Sequence, residues 1–296
     1  MLKKIFNTFF FGNFFYGLCV VMLSIETRIQ YGIALQPISW YLFIYFSTVV
    51  FYRFAYLKSS NHTRENVRAE WFQEHKQSIQ VVQWLLLTCC CISGATYLWF
   101  HFKIPSLSTL LIAASFPMVA LLYYSVFFPK LIPIHIRHTG WLKPFLIGYV
   151  WAGLVTTYPI ILDNPYSNHY FTPLHGFLFL KNWLFVSVLA ILFDIKDYAA
   201  DNNLELKTFV VRFGLIKTIY RIVIPITTIG WVFIAITATQ LGIAVPRVLI
   251  NAIPFTLLII AALSLLQRKP ILYYLAVIDG LLLVKAICGI IAFTII

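Results

Sequence analysis

The chain has 296 residues, of which 61% are hydrophobic and only 11% charged, and its mean hydropathy is +0.86. Soluble domains are about a quarter charged, so these figures exclude a cytosolic globular protein, a nucleic-acid-binding domain and a disordered chain. The formal charge of +12 fits Lys and Arg gathered on the cytoplasmic side of a membrane better than a nucleic-acid partner.

A helix needs about 20 apolar residues to cross a bilayer. In chain order, apolar runs of that kind lie near 8–25, 38–57, 79–100, 106–128, 141–162, 174–193, 216–238, 247–266 and 271–295. The expected fold class is therefore all-α: one polytopic bundle of nine transmembrane helices over residues 1–296. No small-residue cleavage site follows the first run, which is read as a retained helix. The five cysteines, Cys19, Cys89, Cys90, Cys91 and Cys288, all lie in apolar runs without disulfide or metal-ligand spacing. They are expected to be small buried hydrophobes.

Sorting the basic residues sets the expected topology. With a cytoplasmic N-terminus, 16 of the 22 Lys and Arg fall in inner segments, and only Arg28, Lys103 and Arg247 fall in outer ones. Arg53, Lys181 and Lys285 fall inside spans. The positive-inside rule then places the N-terminus inside and the C-terminus outside, and the expected location is a bacterial inner membrane. Two connections, 58–78 and 194–215, are longer and more polar than the rest. Both are inner segments, so any chemistry is expected beneath them.

Three of the chain's five aspartates sit within eight residues: Asp194, Asp197 and Asp201. At i, i+3 and i+7 of a helix they would lie within about 60° of arc, with Tyr198 on the same face. Like charges this close repel, and divalent cations relieve that; Mg²⁺ prefers carboxylate oxygens and often completes its shell with phosphate. The alternative is a solvated helix end neutralised by Lys196, Lys207 and Arg212. The position at a membrane boundary, followed by Lys207-Thr208 and Arg212-Phe213-Gly214, suits a lipid diphosphate.

The run Asp194-Ile-Lys-Asp197-Tyr-Ala-Ala-Asp201, then Lys207-Thr208 and Gly214, resembles the second aspartate-rich motif of the UbiA superfamily of intramembrane prenyltransferases. Tyr123-Tyr124-Ser125, Leu142-Lys143-Pro144, Trp151 and Asp279-Gly280 are similar to features spread over the rest of that family's chain. The resemblance implies transfer of an isoprenyl group from an isoprenyl diphosphate to a lipid-soluble acceptor, often aromatic or a quinone precursor, with Mg²⁺. It implies that Asp194, Asp197 and Asp201 hold the metal and diphosphate, and that Lys143, Lys207 and Arg212 bind phosphate oxygens. Tyr124 and Tyr198, at inner span ends, are candidate substrate contacts. The family's first motif is degenerate here: Asn61 stands as a remnant, with Glu65, Glu70 and Glu74 as substitute oxygen ligands or, alternatively, as acids of a surface helix paired with Arg64, Arg68 and Lys76.

Charges at membrane depth are costly and point to function or pairing. Arg53 is expected to snorkel towards the inner boundary. Lys181 and Lys285 are deeper, and Asp279 is the expected partner of one of them. Three readings follow: an active prenyltransferase, a degenerate relative that binds an isoprenoid or quinone lipid without turnover, and a small transporter. The absence of a need for a carboxylate cluster in a carrier sets the third aside, and the first is preferred. No Ser/His/Asp or Cys/His arrangement is present, and this chemistry needs none.

Overall fold

The computed structural model describes residues 2–59, 67–101, 103, 105–124, 140–163, 172–198 and 207–295, and their side chains except at 2–5, 55–59, 69 and 122–124. No strand occurs among the described residues. The helices are α1 (Leu2–Phe11), α2 (Phe14–Tyr31), α3 (Ile38–Ser59), α4 (Val67–Glu74), α5 (Lys76–His101) and α6 (Leu107–Tyr124). Then come α7 (Lys143–Ile161), α8 (Pro173–Lys196), the short α9 (Phe209–Phe213), α10 (Leu215–Gln240), α11 (Val245–Ser264) and α12 (Ile271–Thr294). Six of these, α5, α7, α8, α10, α11 and α12, are long and apolar enough to cross a membrane, and Ile38–Phe54 and Leu107–Leu121 are shorter apolar helices.

The expected first span at 8–25 is displaced. The chain breaks at Gly12-Asn13, where Asn13 adopts φ 66°, and α2 starts at Phe14 and runs to Tyr31. Asn tolerates the left-handed region better than most residues, and a Cβ at Gly12 would meet the Thr8 carbonyl and the Phe14 ring. The shift brings Glu26 and Arg28 inside a helix.

The chain divides into two compact units. The first comprises Met1–Met22 and Ala34–Lys103; the second comprises Leu23–Ile33 and Ile104–Ile296. In the first, α3 packs on α5. A Cβ at Gly94 would lie 3.0 Å from the Phe43 ring, so the glycine gives that ring its seat. Arg68, almost fully buried, donates from Nε and Nη2 to the Phe11 carbonyl at 3.2 and 3.0 Å, and also to Asn13 Oδ1. This pins α4 to the α1–α2 turn. Arg53 does not snorkel. It is buried, donates to the Ile79 carbonyl at 3.1 Å and lies over the Phe14 ring, because the carbonyl and the ring face give its cation partners inside the unit.

α5 buries only a narrow stripe, Ile79, Leu86, Ser93 and Tyr97. Two of the consecutive cysteines, Cys89 and Cys91, therefore point outward as free thiols, contrary to the expectation of burial, while Cys19 is buried. Trp84, Trp99 and Phe100 are exposed on the same helix, as suits a lipid-facing surface.

In the second unit α8 is the central helix, with Phe185, Leu192 and Ile191 buried against its neighbours. Small residues allow close approach of helices in a membrane. A Cβ at Gly148 would strike Ser187 Oγ and the Trp183 carbonyl of α8, and one at Gly153 would strike the Phe116 ring of α6. Three helices of this unit each contain one π turn: Gly153–Thr157 in α7, Ile219–Val223 in α10 and Tyr274–Ile278 in α12.

Candidate functional site

The α7 and α8 helices run antiparallel, with Thr157 of α7 reaching His175 near the start of α8. The first residue of α7, Lys143, consequently meets the last turn of α8. Its Nζ donates to Asp194 Oδ1 at 2.6 Å. The Asp194 side chain is only 5% exposed and that of Lys143 is 29% exposed. Asp194 Oδ2 is buried and has no hydrogen-bond partner among the described residues. A carboxylate removed from water normally has both oxygens satisfied; among the described residues only one oxygen of Asp194 is.

Helix dipoles sharpen this. A helix N-terminus favours negative charge and a C-terminus positive charge. Lys143 sits at the N-terminus of α7, which no side chain caps, and Asp194 sits in the last turn of α8, two residues before its end at Lys196. Each charge is at the disfavoured end of its own helix, so helix stability does not explain the pair.

The expected carboxylate face is only partly borne by helix. Regular α8 ends at Lys196, and Asp197 caps it with φ −92° and ψ 8°, its N–H bonded to the Asp194 carbonyl. Asp197 therefore closes the last turn from Asp194 and does not continue a regular α-helix. Asp197 is a third exposed and pairs with Lys196 at 2.6 Å. That pairing matches the solvated-end alternative, whereas the burial of Asp194 does not. Asp201 lies outside the described residues, as does Asn61; Tyr124 closes α6, with its side chain outside them. Among the described residues no group of three His, Cys, Asp or Glu side chains could hold a metal ion.

The basic segment lies at the same end of the second unit. A Cβ at Gly140, just before α7, would fall 2.5 Å from the Thr208 nitrogen and 2.7 Å from the Lys207 carbonyl carbon. Phe145 and Phe209 rings are 6.3 Å apart. Lys207 thus lies beside the turn that delivers Lys143. Thr208 caps α9 through its hydroxyl, and Gly214 ends it at φ 79°. Lys207, Arg212 and Tyr198 are exposed, with Arg212 over the Phe213 ring at 5.3 Å.

Sequence reasoning missed a second charged cluster within the same unit. Lys181 and Lys285 do not turn to Asp279. Both donate to Glu26: Lys181 at 3.1 Å, and Lys285 at 3.1 and 2.8 Å to its two oxygens. Lys181 also donates to Gln30 Oε1 at 2.8 Å and Asn251 Oδ1 at 3.2 Å. Glu26 is fully buried. A Cβ on Gly289 of α12 would strike the Glu26 carboxylate; the glycine is the gap into which the acid fits. The expected span ended at residue 25 and so left Glu26 out, whereas α2 runs on to Tyr31 and carries it into the second unit. Near it, Arg28 donates to the Pro159 carbonyl and pairs with Asp163 at 2.8 Å.

No protein-family model and no curated protein matches this sequence. A solved structure, from work on digeranylgeranylglyceryl phosphate synthase in membranes, is similar with a TM-score of 0.54. The two chains are 14% identical, over 97% of this chain and 98% of that one. They share a fold.

Proposed function

We propose that this protein is a UbiA-type intramembrane prenyltransferase. It would transfer an isoprenyl group from an isoprenyl diphosphate to a lipid-soluble acceptor, with Mg²⁺, through one bundle of nine spans with its N-terminus inside. The observation that carries the reading is the buried, half-satisfied carboxylate of Asp194 in contact with Lys143, beside the basic segment from Lys207. The shared fold with a chain from work on a prenyl-lipid synthase supports it.

Asp194 Oδ2, a buried oxygen without a partner among the described residues, suits a magnesium ion, since a hard cation takes carboxylate oxygens. Asp194, Asp197 and Asp201 are the residues that would hold it. When bound, the metal supplies Lewis-acid neutralisation of the departing diphosphate. Lys143, Lys207 and Arg212 add charge-assisted hydrogen bonds to phosphate oxygens, which strengthen as negative charge gathers on the leaving group. The surrounding apolar helices keep water from the allylic cation.

The test uses the full-length protein in lipid nanodiscs with Mg²⁺, geranylgeranyl diphosphate and a panel of acceptors. Geranylgeranylglyceryl phosphate and hydroxybenzoates belong in that panel, and diphosphate release is followed. Release with wild type, and a loss of at least about a hundredfold in Asp194→Asn, is expected on the size of such electrostatic contributions. No release with any acceptor, and prenyl-diphosphate binding unaltered in Asp194→Asn, would sink the proposal. The second reading, a lipid binder without turnover, has the pairing of Asp197 with Lys196 in its favour. It predicts tight prenyl-diphosphate binding with no release.

A further inference from the structure

We infer that Lys143 is an internal counter-ion that holds Asp194 until metal and diphosphate arrive together, so that the protein takes up its metal with diphosphate and not as the bare ion. The inference rests on the reading of Asp194 as a metal ligand. It concerns what Lys143 does before and after loading.

Three observations carry it. The ammonium of Lys143 contacts one oxygen of Asp194 at 2.6 Å and leaves the other, buried, without a partner among the described residues. A carboxylate so placed attracts a second cation, but that cation must share it with a positive charge already in hydrogen-bond contact. In a poorly solvated setting two such charges repel strongly. The bare ion is therefore penalised while Lys143 stays in place. Second, the lysine side chain is 29% exposed and its aspartate 5%. Lys143 stands on the solvent side of the pair at the first residue of α7, following the Gly140–Leu142 turn, and is the partner with room to leave.

Third, the pair opposes both helix dipoles, as described above. An anion beside the N-terminus of α7 and a cation beside the C-terminus of α8 reverse both penalties. A metal–diphosphate complex brings both signs at once. It offers Lys143 a phosphate oxygen in exchange for Asp194, and it offers Asp194 a cation in exchange for Lys143. The bare ion offers only half of the exchange, and free diphosphate would face Asp194 as a like charge. Lys143 thus couples the two binding events.

The experiment measures Mn²⁺ binding, as a paramagnetic stand-in for Mg²⁺, by electron paramagnetic resonance on the full-length protein in nanodiscs. It is run with and without geranylgeranyl thiolodiphosphate, which does not ionise readily. In wild type, Mn²⁺ binds weakly alone, and the thiolodiphosphate tightens it by about tenfold or more, a usual size for coupling between two ligands. In Lys143→Gln, Mn²⁺ alone binds more tightly than in wild type, by about tenfold, and the tightening by thiolodiphosphate shrinks. Lys143→Arg keeps the wild-type pattern, which separates lost charge from lost packing. A merely structural lysine predicts the opposite sign, weaker Mn²⁺ binding in Lys143→Gln. That result, or unchanged Mn²⁺ binding, overturns the inference and leaves the proposed function standing if Asp194→Asn abolishes Mn²⁺ binding. If Asp194→Asn binds Mn²⁺ as wild type does, both fall.

Discussion

Glu26 is a single carboxylate serving two ammonium groups, so the cluster it forms with Lys181 and Lys285 carries one excess positive charge. That arithmetic ranks the substitutions. Glu26→Gln leaves two unneutralised cations in the interior of the second unit. Lys285→Met leaves a neutral Glu26–Lys181 pair, although Glu26 Oε2 then loses the Lys285 bond. Removing one member of a buried pair costs about 3–5 kcal/mol. Thermal unfolding of the nanodisc-embedded protein is expected to show a much larger fall for Glu26→Gln than for Lys285→Met. Equal falls would show that the bonds, not the charge balance, set the stability. Gly289→Ala tests the same cluster from the other side. Its methyl would strike the Glu26 carboxylate, and overpacking of this kind costs about 1–3 kcal/mol. Loss of melting temperature without loss of helix content would be the signature. At this scale sequence reading was uneven. Asp194 and Lys143 stood out because their motif neighbours are recognisable one by one. Glu26 did not, because its partners are 155 and 259 residues away in sequence.

The spans themselves are legible from hydropathy because an apolar run has no other soluble use. Expected spans at 141–162, 174–193 and 271–295 agree with α7, α8 and α12 to within a few residues. The failure at α1 and α2 has a plain cause. Phe and Tyr continue without interruption on both sides of Gly12-Asn13, so the hydrophobic pattern does not register a backbone turn. The π turns are equally invisible, since one extra residue per turn leaves composition untouched. The one in α7 holds Thr156 and Thr157, whose hydroxyls meet Asn182 at 2.7 Å and His175 at 3.3 Å on α8. Topology is testable on these elements. Asp163 is exposed at the far end of α7 from Lys143. With an inside N-terminus, a cysteine replacing Asp163 is expected to label with an impermeant maleimide from outside in intact cells. One replacing Lys207 should label only after the membrane is opened, and the reverse pattern would invert the topology.

For the whole molecule, fold travels further than sequence. A 14% identity alongside a TM-score of 0.54 over nearly all of both chains means that the fold is kept with few residues in common; in this chain it is built from apolar length, small residues at crossings and a few internal charges. Those are the features composition could supply, and an all-α polytopic reading followed from them. What composition could not supply is the division into two compact units or the pairing of buried charges, since both depend on which faces meet. Of the degenerate first motif, Asn61 and Glu65 lie outside the described residues, whereas Glu70 and Glu74 stand exposed on α4 of the first unit.

The outward thiols of α5 give the protein a built-in depth gauge. Cys89 and Cys91 lie in the middle of a 26-residue helix, among exposed tryptophans and leucines. With α5 in hydrocarbon, water-borne alkylating agents have no route to them, while oil-soluble ones do.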